Sequence, residues 1–135
     1  MSLVLIYVTT LAIFVVVDFV WLGVIAKSFY GRQIGPLLKQ PFSLPAILAF
    51  YAVYAAGIVV FAVHPALAAG AWTHAARDGA LLGFFCYATY DLTNLATLRG
   101  WPVVLSIVDL AWGTVLTAMA ATAAFATCYS IGVSV

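Results

Sequence analysis

A chain of 135 residues that is 67% hydrophobic and 7% charged lies well outside the roughly 45 to 50% apolar and roughly 25% charged content of soluble domains. It carries too little charge to cover a water-facing surface, which excludes a soluble fold, a disordered chain and a coiled coil, and a net charge of +1 with no basic stripe excludes a nucleic-acid partner. A small polytopic membrane domain remains.

Crossing about 30 Å of hydrocarbon takes about 20 apolar residues in a helix, and four runs meet that length. The first, 3–26, has no basic segment before it, is too long for a signal-peptide core and contains Asp18. It reads as a retained anchor helix in a mature chain that begins at residue 1. The connection 27–44 combines Lys27, Arg32 and Lys39 with Phe29, Tyr30, Leu37, Leu38 and Phe42, so it is expected to lie in the headgroup layer. Its three cations fall short of a polybasic lipid-binding cluster and serve topology. Gly31, Gly35, Pro36, Pro41 and Pro45 punctuate it. The second span, 45–64, ends at His64-Pro65 and Gly70; the third, 78–98, ends at Arg99-Gly100-Trp101-Pro102; the fourth covers 103–128. These breaks are turns and not linkers, so the expected fold class is all-α: a single-domain, four-helix transmembrane bundle.

Lys27, Arg32, Lys39 and Arg99 lie in the first and third connections and Arg77 alone in the second. Cytoplasmic connections retain Lys and Arg, so both termini are expected outside, with dual insertion as the alternative. Trp72 and Trp101 fall at expected interfaces, the usual belt position of indole, and need no functional reading.

Asp18, Asp91 and Asp109 lie inside the spans, and each ionised Asp near a helix centre costs roughly 2.5 to 3.5 kcal/mol to insert. At about 1.5 Å per residue, Asp18 is roughly 13 Å from Lys27, Asp91 roughly 12 Å from Arg99 and Asp109 roughly 10 Å from Pro102. Three helices thus deliver a carboxyl group to one depth. Tyr87, Asp91 and Asn94 fall at i, i+4 and i+7 on one face, with Tyr90 about 100 degrees to the side. Tyr51 and Tyr54 of the second span reach the same layer. Trp21 and Trp112 each follow an Asp by three residues, in Asp-Phe-Val-Trp and Asp-Leu-Ala-Trp, a faint inverted repeat that chance also explains.

No Lys, Arg or His reaches this depth, so the carboxylates lack a counter-charge. Three like charges in one low-dielectric layer cannot all stay ionised, and the layer is expected to hold a proton or a bound cation and to titrate as a coupled set. Tyrosine hydroxyls, indole N–H groups, Asn94, Ser106 and Thr93 are the available donors. Protonated carboxyls acting only as packing glue between helices are the competing explanation. Gly79 and Gly83, and Gly113 with Thr117 and Ala121, make small faces suited to packing within the chain. His74 and Asp78 have i, i+4 spacing, but two ligands at a wet helix entrance do not make a metal site. Cys86 and Cys128 lie in apolar runs without metal-type spacing; Cys86 reads as an inert core thiol.

Asp18-Phe-Val-Trp-Leu-Gly23, Lys27-Ser-Phe-Tyr30 with Ile34-Gly35, Tyr87-Ala-Thr-Tyr-Asp-Leu-Thr-Asn-Leu-Ala-Thr-Leu98, and Trp101-Pro102 leading to Asp109-Leu-Ala-Trp-Gly113 together resemble a family of small four-helix bacterial membrane proteins known as domain of unknown function 2177. The likeness spans nearly the whole chain, and Tyr-Asp-Leu-Thr-Asn is its most specific part. The resemblance implies the bacterial inner membrane and four spans, and it brings no activity or cofactor. Its motif residues coincide with the acidic layer.

Three functions fit. A proton-linked transporter would use the layer as a midmembrane site for a small cationic or lipid-like ligand, and with so few helices would call for a homodimer or larger membrane complex. An accessory subunit would bind a lipid, pigment or quinone-like molecule among the aromatic rings and present it to a partner. An enzyme would use one protonated Asp as acid and an ionised neighbour as base on a lipid or isoprenoid.

Overall fold

The computed structural model describes residues 2–135. Helix α1, Ser2–Val20, continues through one π turn, Trp21–Ile25. Helix α2, Lys27–Ile34, follows directly and ends in a 3-10 turn, Gly35–Leu37. Helix α3, Leu44–Ile58, runs through a second π turn, Val59–Val63, into α4, His64–Ala69. Helices α5, Trp72–Thr97, and α6, Val103–Ser130, complete the chain, and no strand occurs among the described residues.

Counted as continuous rods, the described residues form four long helices and one short one, so the four-helix expectation needs a correction. Gly31 does not break the chain but sits inside α2, because the polar and aromatic residues from Lys27 onward hold a helical turn against the end of α1. The second long helix also outruns its expected end at residue 64 and reaches Ala69. Pro65 is tolerated because it occupies the first turn of α4, directly after a π turn has already displaced the hydrogen-bond ladder. Gly70, at φ 64°, supplies the left-handed residue that ends it.

Ser2–Ile25, Leu44–Ala69 and Val103–Ser130 are long and apolar enough to cross a membrane. Helix α5 has the length, at 26 residues, but Tyr87, Tyr90, Asp91, Thr93 and Asn94 lower the apolarity of its second half. It starts at Trp72, ahead of the expected residue 78.

The apolar core fills one end of the bundle. Ile6 and Phe14 of α1, Ile58, Val59, Ala62 and Val63 of the second rod, Ala75 of α5, and Leu116, Ala120, Ala124 and Cys128 of α6 pack there, away from the connection 27–44. Helices α5 and α6 approach most closely. A Cβ added to Gly79 would lie 2.8 Å from the Thr117 carbonyl oxygen, one on Gly83 would strike the Gly113 carbonyl, and one on Gly113 would enter the Tyr87 ring. The small faces seen in the sequence therefore meet each other, and their closeness lays Tyr87 across Gly113. At the opposite end the rods part. Helix α3 follows α1, α5 follows α6, and the α3–α4 rod meets α5 mainly at the π turn Val59–Val63. Below that turn a gap opens between α3 and α5.

Candidate functional site

The gap leads into a cavity of about 420 Å³, within the range of roughly 300 to 1,000 Å³ common for small-ligand sites. Asp18 and Leu22 of α1, Tyr30 and Ile34 of α2, Phe50 and Tyr54 of α3, Cys86, Tyr87 and Tyr90 of α5, and Leu105, Asp109 and Trp112 of α6 line it together with Trp101. Four of its wall residues are exposed: Leu22 at 41%, Phe50 at 42%, Tyr90 at 55%, and Cys86.

Each carboxyl group has a different environment. Asp18 is buried and accepts two bonds, from the Tyr51 hydroxyl at 2.7 Å and from Trp112 Nε1 at 3.3 Å. Asp109 accepts from the Tyr30 hydroxyl at 2.6 Å, and Tyr30 in turn accepts from Trp21 Nε1 at 3.4 Å. Trp21 and Trp112 stack with centroids 4.3 Å apart and planes 11° from parallel. The two Asp-x-x-Trp segments thus cross: the Trp of the α6 segment serves the Asp of α1, and the Trp of the α1 segment serves the Asp of α6 through Tyr30. Asp91 is 0% exposed, and neither of its oxygens has a hydrogen-bond partner among the described residues.

Of the residues singled out in the sequence, Asp18, Asp109, Tyr54, Tyr87, Tyr90 and Trp112 share the cavity wall. Tyr51 and Trp21 stand behind it, each bonded to a wall residue, and Asp91 is buried outside the wall. Tyr54 spends its hydroxyl on Thr117 Oγ1 at 2.9 Å. Asn94 is half-buried and is not part of the wall. The i, i+4, i+7 spacing placed Tyr87 and Asn94 beside Asp91, yet neither bonds to it. Tyr87 turns toward Gly113 on α6, and helical spacing fixes only the face, not the neighbour that a side chain meets.

Two further expectations change. Ser106 bonds to Trp101 Nε1 at 3.0 Å and to the Pro102 carbonyl, and Thr93 bonds back to carbonyls of its own helix, so neither serves a carboxylate. Helical Ser and Thr satisfy themselves this way when no other acceptor lies nearer. Cys86 is not a core thiol but an exposed residue at the cavity mouth, because α3 diverges from α5 at its level.

Tyr30 and Trp101 are wall residues that sequence reasoning left outside the site. Both sit in connections, beyond the reach of a depth count along a span. Tyr30 carried one signal, its place in the Lys27-Ser-Phe-Tyr30 segment. Trp101 looked like an interfacial belt residue, and its edge-to-face contact with Tyr90, centroids 5.8 Å apart, turns it inward. His74 and Asp78 make no pair: Asp78 bonds to Arg77 at 2.7 Å.

None of the wall residues is Lys, Arg or His. The cavity surface is carboxylate oxygen, aromatic face and aliphatic carbon. Such a wall suits a positively charged or hydrogen-bond-donating head attached to an apolar body.

No curated protein and no solved structure matches the chain. A family model described as "Predicted membrane protein (DUF2177)" matches residues 3–126. With nearly the whole chain matched, and with helices apolar enough to cross a bilayer, the protein belongs to the DUF2177 family of predicted membrane proteins.

Proposed function

We propose that this protein is a four-span, single-domain protein of the bacterial inner membrane that binds a lipid-like ligand entering sideways from the leaflet, with its carboxyl groups exchanging a proton. The observation that carries this reading is a cavity whose wall holds buried Asp18 and Asp109 together with exposed Phe50 of α3 and exposed Cys86 and Tyr90 of α5, an arrangement we read as a lateral mouth between those two helices. A mouth that faces lipid admits a molecule already dissolved in the bilayer. On this reading α5 is the fourth span despite its polar half, because Tyr87 and Tyr90 line the cavity, Asp91 is buried, and Thr89 and Thr93 satisfy their hydroxyls on carbonyls of their own helix.

The opposite end supports a binding site over an open channel. Ile58, Val59, Ala62, Val63, Leu116 and Ala120 belong to one buried apolar cluster there. The ligand would then be held for a partner subunit or for chemistry by the wall carboxyls of Asp18 and Asp109. One observation favours transport as the second reading. Both rods flanking Asp18 and Tyr54 contain a π turn, at Trp21–Ile25 and Val59–Val63, and interrupted helices are where such bundles bend.

The test is identification of what co-purifies. Protein extracted in mild detergent is expected to carry a bound amphiphile by native mass spectrometry, and Cys86→Trp, which fills the mouth, is expected to lose it. Indistinguishable adducts in the wild type and Cys86→Trp would remove the basis of the reading. A homodimer whose cavities join across the membrane would favour the transport alternative.

A further inference from the structure

Three features of the cavity bear on what its ligand must be. The first is the sign of the wall. Asp18 and Asp109 are carboxyl groups, and Tyr54, Tyr87, Tyr90, Trp101 and Trp112 present aromatic faces, which carry negative electrostatic potential. Nothing in the wall is basic. A phosphate or carboxylate head would meet only like charge and would find no cation to replace its water. A neutral hydroxyl could donate a bond but would make no use of the aromatic faces.

The second feature is Asp91. It is fully enclosed, and both oxygens lack a donor among the described residues. A carboxyl group in that position calls for a positive partner, either a proton or another cation, because an uncompensated buried charge is far costlier than a paired one. The third is the occupancy of the donors. Trp112 is engaged on Asp18, Tyr30 on Asp109, Tyr54 on Thr117 and Trp101 on Ser106, which leaves the Tyr87 and Tyr90 hydroxyls as the uncommitted ones among the described residues. The wall therefore offers a ligand mainly acceptors and π faces.

We infer that the ligand of this cavity is a hydrophobic ammonium compound, an alkylamine or quaternary ammonium amphiphile, whose charged head sits between Asp18 and Asp109 within the aromatic wall. The inference rests on the lateral-site reading above and narrows it to one charge class.

The experiment uses the full chain carrying Cys128→Ala in dodecyl maltoside, an uncharged detergent, with Cys86 as the remaining thiol. Labelling of Cys86 by N-ethylmaleimide reports occupancy of the mouth. Three probes of equal chain length, octyltrimethylammonium, octanol and octyl phosphate, compete with it. Octyltrimethylammonium is expected to protect Cys86 at a concentration at least tenfold lower than either of the others. Asp109→Asn and Asp18→Asn should each remove most of the preference for the ammonium. Equal or better protection by octanol or octyl phosphate would overturn the charge assignment and leave the lateral site standing. Protection by none of the three, together with unchanged adducts in Cys86→Trp, would overturn both. The wild-type comparison of probes decides the matter even where a carboxyl variant fails to fold.

Discussion

Tyr30 donates a hydrogen bond of 2.6 Å to Asp109 across 79 residues of chain, fastening the short helix α2 to the inner wall of the cavity. Helix α2 has no buried residue of its own, so this bond and the Trp21 contact are what hold it under the bundle. A hydrogen bond to a charged group contributes about 1.5 to 3 kcal/mol.

Tyr30→Phe should therefore release α2 while the long helices stay folded. Amide exchange over residues 27–34 is expected to speed up by about tenfold or more, corresponding to roughly 1.4 kcal/mol, with α6 protection unchanged. Unaltered exchange in 27–34 would show that the bond does not hold the helix.

Asp91 is fully buried, and neither of its oxygens has a hydrogen-bond partner among the described residues. Asp91→Asn keeps the shape of the side chain and carries no charge to desolvate, so it should keep thermal stability at neutral pH within about 1 kcal/mol of the wild type or raise it. Melting curves in detergent read this out, and a loss of several kcal/mol would show that the carboxyl itself is needed for folding.

The α5–α6 contact should be intolerant of a single methyl group. Gly83→Ala and Gly113→Ala place a Cβ against the Gly113 carbonyl and the Tyr87 ring, and overpacking of this kind costs about 1 to 3 kcal/mol. Gly57→Ala, with open space around the added carbon, serves as the control and should change stability by less than about 0.5 kcal/mol. Equal melting temperatures for all three would mean that the close approach is not needed for folding.

Orientation is open to direct labelling. Single cysteines at Ser2, Ser43 and Thr73, placed in a background free of native cysteine, are expected to react with an impermeant reagent on intact cells at Ser2 and Thr73 and to be shielded at Ser43. The reverse pattern would invert the topology, and equal reaction at all three would indicate dual insertion.

The long helices were legible in the sequence because they depend on a local quantity, the length of an apolar run. The rise per residue of a helix gave Asp18, Asp91 and Asp109 one expected depth, slightly to the cytoplasmic side of the midplane. Which neighbour each would meet could not be counted in this way. Asp91, with Tyr87 and Asn94 on its own face, looked the best supplied with donors and is the one with none among the described residues, whereas Asp18 draws Tyr51 and Trp112 from two other helices. That outcome depends on how far Gly79, Gly83 and Gly113 let α5 and α6 close, which turns Tyr87 over Gly113 and away from Asp91. The inward turn of Tyr30 and Trp101, and the exposure of Cys86, were likewise decided by tertiary structure. They follow from α2 folding under the bundle and from α3 diverging from α5, relations between helices that no pattern within a single helix encodes.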